Sequence, residues 1–245
     1  MNSRRSVVFW FIALVVGAGL VGLASAASLP GLEQRVAASD DDPSDWFGRS
    51  VDIYGDIAVV GAPGDDGLAT NSGAAYVFRR QGDSWVEVQK LDAAGDAEQH
   101  DQFGFDVAVE RDLIAVGARW DDDAGSDAGA VYLFEWDGMV WTRTEKFLPT
   151  DPSMSYSAYE YGTSVDIGIA VPAAGSVEVT DIVVGAPRAD NFQGAVFLIE
   201  RNGGLWTTIG KFSDSDVGGG NDAGTFGRSV AIHGDQIIGG APPMI

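Results

Sequence analysis

Nearly all the residues that could do chemistry in this 245-residue chain are carboxylates. The densest run is Asp121-Asp122-Asp123-Ala124-Gly125-Ser126-Asp127; Asp65-Asp66-Gly67 and Asp190 sit in comparable loops. Calcium takes about six to eight oxygen ligands, which aspartates interleaved with glycine in a bent loop can supply. Asp121, Asp123 and Asp127 are therefore the candidate Ca2+ ligands, and the competing reading of the same residues is a solvated acidic surface. Carboxylate pairs can also hydrolyse glycosides, so an exported polysaccharide-acting enzyme is a second functional reading. Other chemistries are closed. The chain has no Cys, which removes disulfides, thiol nucleophiles and Cys-based metal sites. His100 and His233 are the only histidines, and both read as surface turn residues. No GxSxG, HExxH, P-loop or EF-hand pattern occurs beyond the first 26 residues. With 36 acidic against 15 basic residues, the net charge is −21, which opposes nucleic-acid binding because phosphate contacts need a basic footprint.

The elements that must position these acids begin after a leader. Arg4 and Arg5, the apolar run Val7 to Leu23 and the small residues Ala24-Ser25-Ala26 read as a signal peptide over 1–26. Cleavage would leave a secreted or surface-attached chain with no membrane span. An uncleaved anchor is the alternative, since the run is close to the shortest that can cross a bilayer.

An internal repeat then governs the chain. Phe47-Gly48 recurs as Phe103-Gly104, Tyr161-Gly162 and Phe226-Gly227, each followed by a short alternating run. Further on come Gly61-Ala62-Pro63, Gly117-Ala118-Arg119, Gly185-Ala186-Pro187 and Gly240-Ala241-Pro242. A Gly-Ala strand and a Trp-led strand complete each of the first three units. Alternation at period two, continuous apolar runs such as Ile57 to Val60, and tight turns such as Tyr54-Gly55-Asp56 predict four short strands per unit, A to D. In the first unit these span about 49–54, 57–62, 73–80 and 85–91. Four-stranded meanders repeated about an axis make a β-propeller. The aromatic of each pair is expected to fill the wedge between blades, and the glycines to let backbones approach.

Phe-Gly followed by Gly-Ala-Pro resembles the FG-GAP repeat of the integrin α-subunit propeller and its bacterial secreted relatives. The resemblance runs over about residues 32–242. It implies an all-β propeller used for extracellular recognition or adhesion. It also implies a calcium loop of the form DxDxDG between strands A and B. Here that connection is only Tyr54-Gly55-Asp56 in the first unit and the mainly apolar Gly168 to Thr180 in the third, so calcium would have to sit in the B–C loops.

The expected organisation is a signal peptide (1–26), an orphan outer strand with an acidic loop (27–46), blade 1 (47–102), blade 2 (103–160), blade 3 (161–225) and a partial blade 4 (226–245). Gln34-Arg35-Val36-Ala37-Ala38 aligns with the D strand at Gln89-Lys90-Leu91. Three full blades, one outer strand and two inner strands are too few for a regular ring, so the expectation is an incomplete propeller, completed by additional chain or by self-association. Because meander strands alternate in direction, the B–C and D–A loops share one face. That face gathers Asp65, Asp66, Asp121, Asp122, Asp123, Asp127 and Asp190, together with Asp40, Asp42, Asp45, Asp96 and Asp101. Its expected partner is an extracellular protein or polysaccharide, with or without Ca2+; a structural fragment without its own ligand is the third reading.

Overall fold

The computed structural model describes residues 34–40, 42–149, 158–170, 179–213, 216 and 225–241. The signal-peptide assignment, most of the apolar insertion in the third unit, and Pro242 lie outside them. Blade 1 comprises β1 (Ser50–Tyr54), β2 (Ile57–Ala62), β3 (Ala74–Gln81) and β4 (Ser84–Leu91). Blade 2 follows with β5 (Phe103–Glu110), β6 (Leu113–Ala118), β7 (Ala130–Trp136) and β8 (Trp141–Phe147). Blade 3 is β9 (Ser164–Ala170), β10 (Val179–Ala186), β11 (Ala195–Asn202) and β12 (Leu205–Ser213), and β13 (Ser229–His233) pairs with β14 (Gln236–Gly240). Each full blade is an antiparallel meander in chain order. A β-bulge recurs at the same place in the last pair of each, at Val77/Phe78, Leu133/Phe134 and Leu198/Ile199.

The blades fan about their first strands, for β1 packs on β5, β5 on β9 and β9 on β13. Val107 and Val109 of β5, and Val165 and Ile167 of β9, are buried by that packing. At the same register in β1, Val51 is 61% and Ile53 57% exposed, so the first face of the arc is bare. The structure is thus an incomplete, unclosed propeller.

Each blade-opening aromatic does pack as a wedge. Phe103 is fully buried, edge-on to Tyr132 and Phe134 of its own blade, and joins a core with Val59 and Val77 of blade 1. Phe47 contacts Tyr76 and Phe78 in the same way, and Tyr161 contacts Phe197. Single parallel bridges, Gly73 to Phe103, Gly129 to Tyr161 and Gly194 to Phe226, stitch each blade to the next. A Cβ on Gly61, Gly117 or Gly185 would run into the carbonyl oxygen of Gly104, Gly162 or Gly227 respectively. The close backbone approach expected of the two glycine motifs is therefore made between neighbouring blades.

One expectation changes form. Residues 34–38 make no ladder. Even so, the Gln34 side chain donates to the Trp85 carbonyl and accepts from the Trp85 N–H, as the Gln89 side chain does with Trp141 one blade on. The segment therefore takes the outer-strand position against blade 1 through these side-chain bonds and the packing of Val36 and Ala38 on its core, without a ladder.

Candidate functional site: the loop face

Connections β2–β3, β6–β7 and β10–β11 interlock with those that lead into the next blade. His100 and Gln102 donate backbone N–H groups to Thr70 and Asn71. Ala158 and Glu160 donate to Ser126 and Asp127 in the same way one blade further on. The two acidic loop sets thus form one continuous surface at one end of the arc. The residues just before the aromatics, Gln102 and Glu160, adopt positive φ, as do Asn71 and Asp127 opposite them. Non-glycine residues hold that conformation only where their surroundings enforce it, and here the cross-blade bonds do so.

Within this surface the sequence-predicted acids separate into two groups. Asp66, Asp122 and Asp123 are exposed, and Asp127 and Asp190 are partly so. Asp65 and Asp121 instead turn inward, at 4% and 1% exposure. Asp121 accepts a hydrogen bond from the Tyr132 hydroxyl at 2.7 Å and lies 2.8 Å from the Lys146 ammonium. Asp65 does the same with Tyr76 at 2.7 Å and Lys90 at 2.8 Å, and Asp40 joins both donors. Burial, and then the adjoining carboxylates, raise both phenols well above the ordinary tyrosine range, so they remain donors. Burial works against the charged form of Lys146, but Asp121 and Asp123 outweigh it and raise its pKa.

These contacts bear on the calcium reading. Asp123 is held by Lys146 at 2.5 Å, Asp122 accepts the Asp127 N–H, and Asp121 is saturated as described. Among the described residues, no group of three or more His, Asp or Glu side chains could hold a metal ion. The Asp121 and Asp123 oxygens thus already face an amine, a hydroxyl or an amide, whereas Asp127 enters the loop through its own N–H to Asp122. The Asp-Tyr-Lys set was open to detection in the sequence, since Tyr76 and Tyr132, and Lys90 and Lys146, recur at matched distances from Asp65 and Asp121.

A second carboxylate system, with no motif in the sequence to mark it, links the innermost strands. Asp52 accepts the Val109 N–H, Asp106 the Val165 N–H and Asp166 the Ile232 N–H. Each carboxylate thus caps an otherwise open edge of the next blade's innermost strand. Asp106 is pushed up to about 6, chiefly by burial, with the Val165 and Val107 N–H groups opposing the rise. Asp101, on the loop face, also rises to about 6, by burial and then by the nearby Asp121 charge, which outweigh the Glu98 N–H it accepts.

His100 and His233 are both exposed, His100 beside Asn71 on the loop face and His233 at the end of β13, next to the turn at the other end. Trp136 covers the β7–β8 turn against Trp141 and Arg79, whereas Trp120 lies under Arg119 and bonds Glu160. Two hollows of about 280 and 190 Å3 open at the turn end, around Arg111, away from the acidic loops.

No curated protein matches the chain. The family model for the FG-GAP repeat matches residues 31–78 and 85–134, which take in the aromatic-glycine and glycine-alanine motifs of blades 1 and 2. Those motifs make the blade-to-blade contacts just described, and over these two stretches, blades 1 and 2, the chain carries FG-GAP repeats.

Proposed function

We propose that the protein is an exported, non-catalytic recognition module that binds an extracellular protein or polysaccharide through its loop face. The observation that carries this reading is the interlocking of the loops. Hydrogen bonds across each blade boundary join them into one fixed surface, and its exposed acids attract cationic groups over about a Debye length. The glycosidase reading finds no support in that surface, because Asp65 and Asp121, the acids best placed inside it, are locked to tyrosine and lysine. Export rests on the leader over residues 1–26.

The test is binding of purified protein to a panel of extracellular-matrix proteins and neutral, cationic and acidic polysaccharides, with turnover followed in parallel. Retention that weakens as salt rises, without turnover, is expected. Release of shortened sugars would overturn the non-catalytic reading. The bare β1 face, with Val51 and Ile53, is proposed to take a further blade surface, from additional chain or a second copy. Native mass spectrometry should show assembly, and Val51→Glu should abolish it.

A further inference from the structure

Amid this acidic surface lies a cluster of the opposite sign. Arg119 follows β6 and Arg188 follows β10, while Arg49 and Arg228 immediately precede β1 and β13. All four therefore sit at the loop end of the first or second strand of their blades. The Arg49 and Arg119 guanidiniums lie over one buried ring, Phe105, at 4.1 and 3.8 Å from its centre. Arg119 is fixed by a 2.7 Å bond to Gln102 and also stacks on Trp120. Arg188 reaches Glu160 at 3.3 Å. Arg49 and Arg228 make no ion pair with any described residue. Burial first lowers the Arg119 pKa, and the charges of Arg49, Arg228 and Arg188 lower it further, against the pull of Glu160.

Like charges this close repel, and a −21 chain has carboxylates to spare for neutralising them. The buried carboxylate Glu160 pairs with Arg188 and pulls on Arg119, Arg49 acts on Asp106 without an ion pair, and an aromatic ring rather than an acid holds Arg49 and Arg119 in place. A planar guanidinium presents paired donors that match an oxyanion. We propose that Arg49, Arg119, Arg188 and Arg228 form a binding site for a compact oxyanion, a single carboxylate or sulfate group carried by the partner. The surrounding acids repel a polyanion, so the group is an isolated one on a neutral or basic surface. The assignment deepens the recognition reading and rests on it for the biological partner. The affinity for a free oxyanion is a property of the cluster alone.

The probe is inorganic sulfate. Thermal unfolding of the whole protein should show a saturable rise in Tm in millimolar sodium sulfate, relative to sodium chloride at equal ionic strength. Arg49→Gln and Arg228→Gln, both at exposed positions, should fold and lose the response. Arg119→Gln should lose it too, and if that variant fails to fold the other two decide. A response to sulfate no greater than to chloride would overturn the site, as would variants that respond like wild type. Heparin binding tighter than sulfate would overturn the compact-anion assignment in favour of a polyanion surface. Loss of macromolecular binding with the sulfate response intact would count against the recognition reading and leave the site standing.

Discussion

Blades 2 and 3 solve the same local problem with different residues. In blade 2, Asp121, Tyr132 and Lys146 close on one another under the loop. At the matching positions blade 3 has Ala189, Phe197 and Lys211. The carboxylate and the hydroxyl are absent together, as they must be, because either alone would be a buried polar group short of a partner. The lysine stays, and Asp190, one residue later, supplies its counter-charge at 2.7 Å. Asp190, Asn191 and Phe192 all take positive φ there, and this left-handed turn swings the carboxylate into reach. A repeat can thus exchange the members of a buried polar set provided that every remaining donor and acceptor is matched.

The strongest way to break this comparison is to remove one member alone. Asp121→Ala leaves a buried phenol and a largely buried ammonium, and should cost about 3 kcal/mol in denaturant unfolding, less whatever Asp123 recovers. A loss under about 1 kcal/mol would show that the set is not mutually dependent. Next in size, and opposite in sign, is Asp106→Asn. Asp106 is half-buried without a salt-bridged cation, and burial raises it to about 6 against the N–H groups it accepts and the Arg49 charge. Its charged form is therefore destabilising above that pH, and the fold gains stability as pH falls from about 6 toward 4, where the proton is bound in the folded state first. Asparagine can still accept the Val165 N–H, so the variant should be stabler by about 2 kcal/mol at pH 7, with the gain gone at pH 4. Melts at the two pH values check it, and a gain independent of pH would refute the assignment.

Tyr132→Phe should cost about 1 kcal/mol. Combined with Asp121→Ala, which recreates the blade 3 pairing of Ala with Phe, it should cost less than the two single losses added. A double-mutant cycle measures that coupling at about 1 kcal/mol, and strict additivity would end the comparison. The smallest expected effect is none: EDTA or added Ca2+ should leave Tm unchanged, because lysine and tyrosine already occupy Asp121 and Asp65. A calcium-dependent shift would reopen the metal reading.

Much of the fold could be read directly from the sequence. The glycine-bearing turns and the apolar run from Ile57 place β2 at Ile57–Ala62 as expected, and β1, β3 and β4 lie within a residue or so of expectation. The meander rule correctly puts the B–C and D–A loops together. What remained hidden depends on rotation about the loop. Asp121, Asp122 and Asp123 are chemically identical, and only the fold decides that the first points inward while the next two face water. The arginine cluster was hidden for another reason: its members are scattered over four units and meet only because those units fan about a common line.

The backbone contact of Gly61 with Gly104, repeated at Gly117 and Gly185, has a mechanical consequence. Near the loop end of the inner strands the blades meet backbone on backbone, and the short Ser50 and Ser164 hydroxyls that cross there are themselves tied to the Gly104 and Gly227 carbonyls, leaving little to pivot and absorb a change of angle. At the outer strands the link is a long glutamine, Gln89 on Trp141, which can pivot. Load applied at the rim is therefore taken up by compliance there, while the stiff inner seam keeps the spacing of the arginines and the surrounding loops constant.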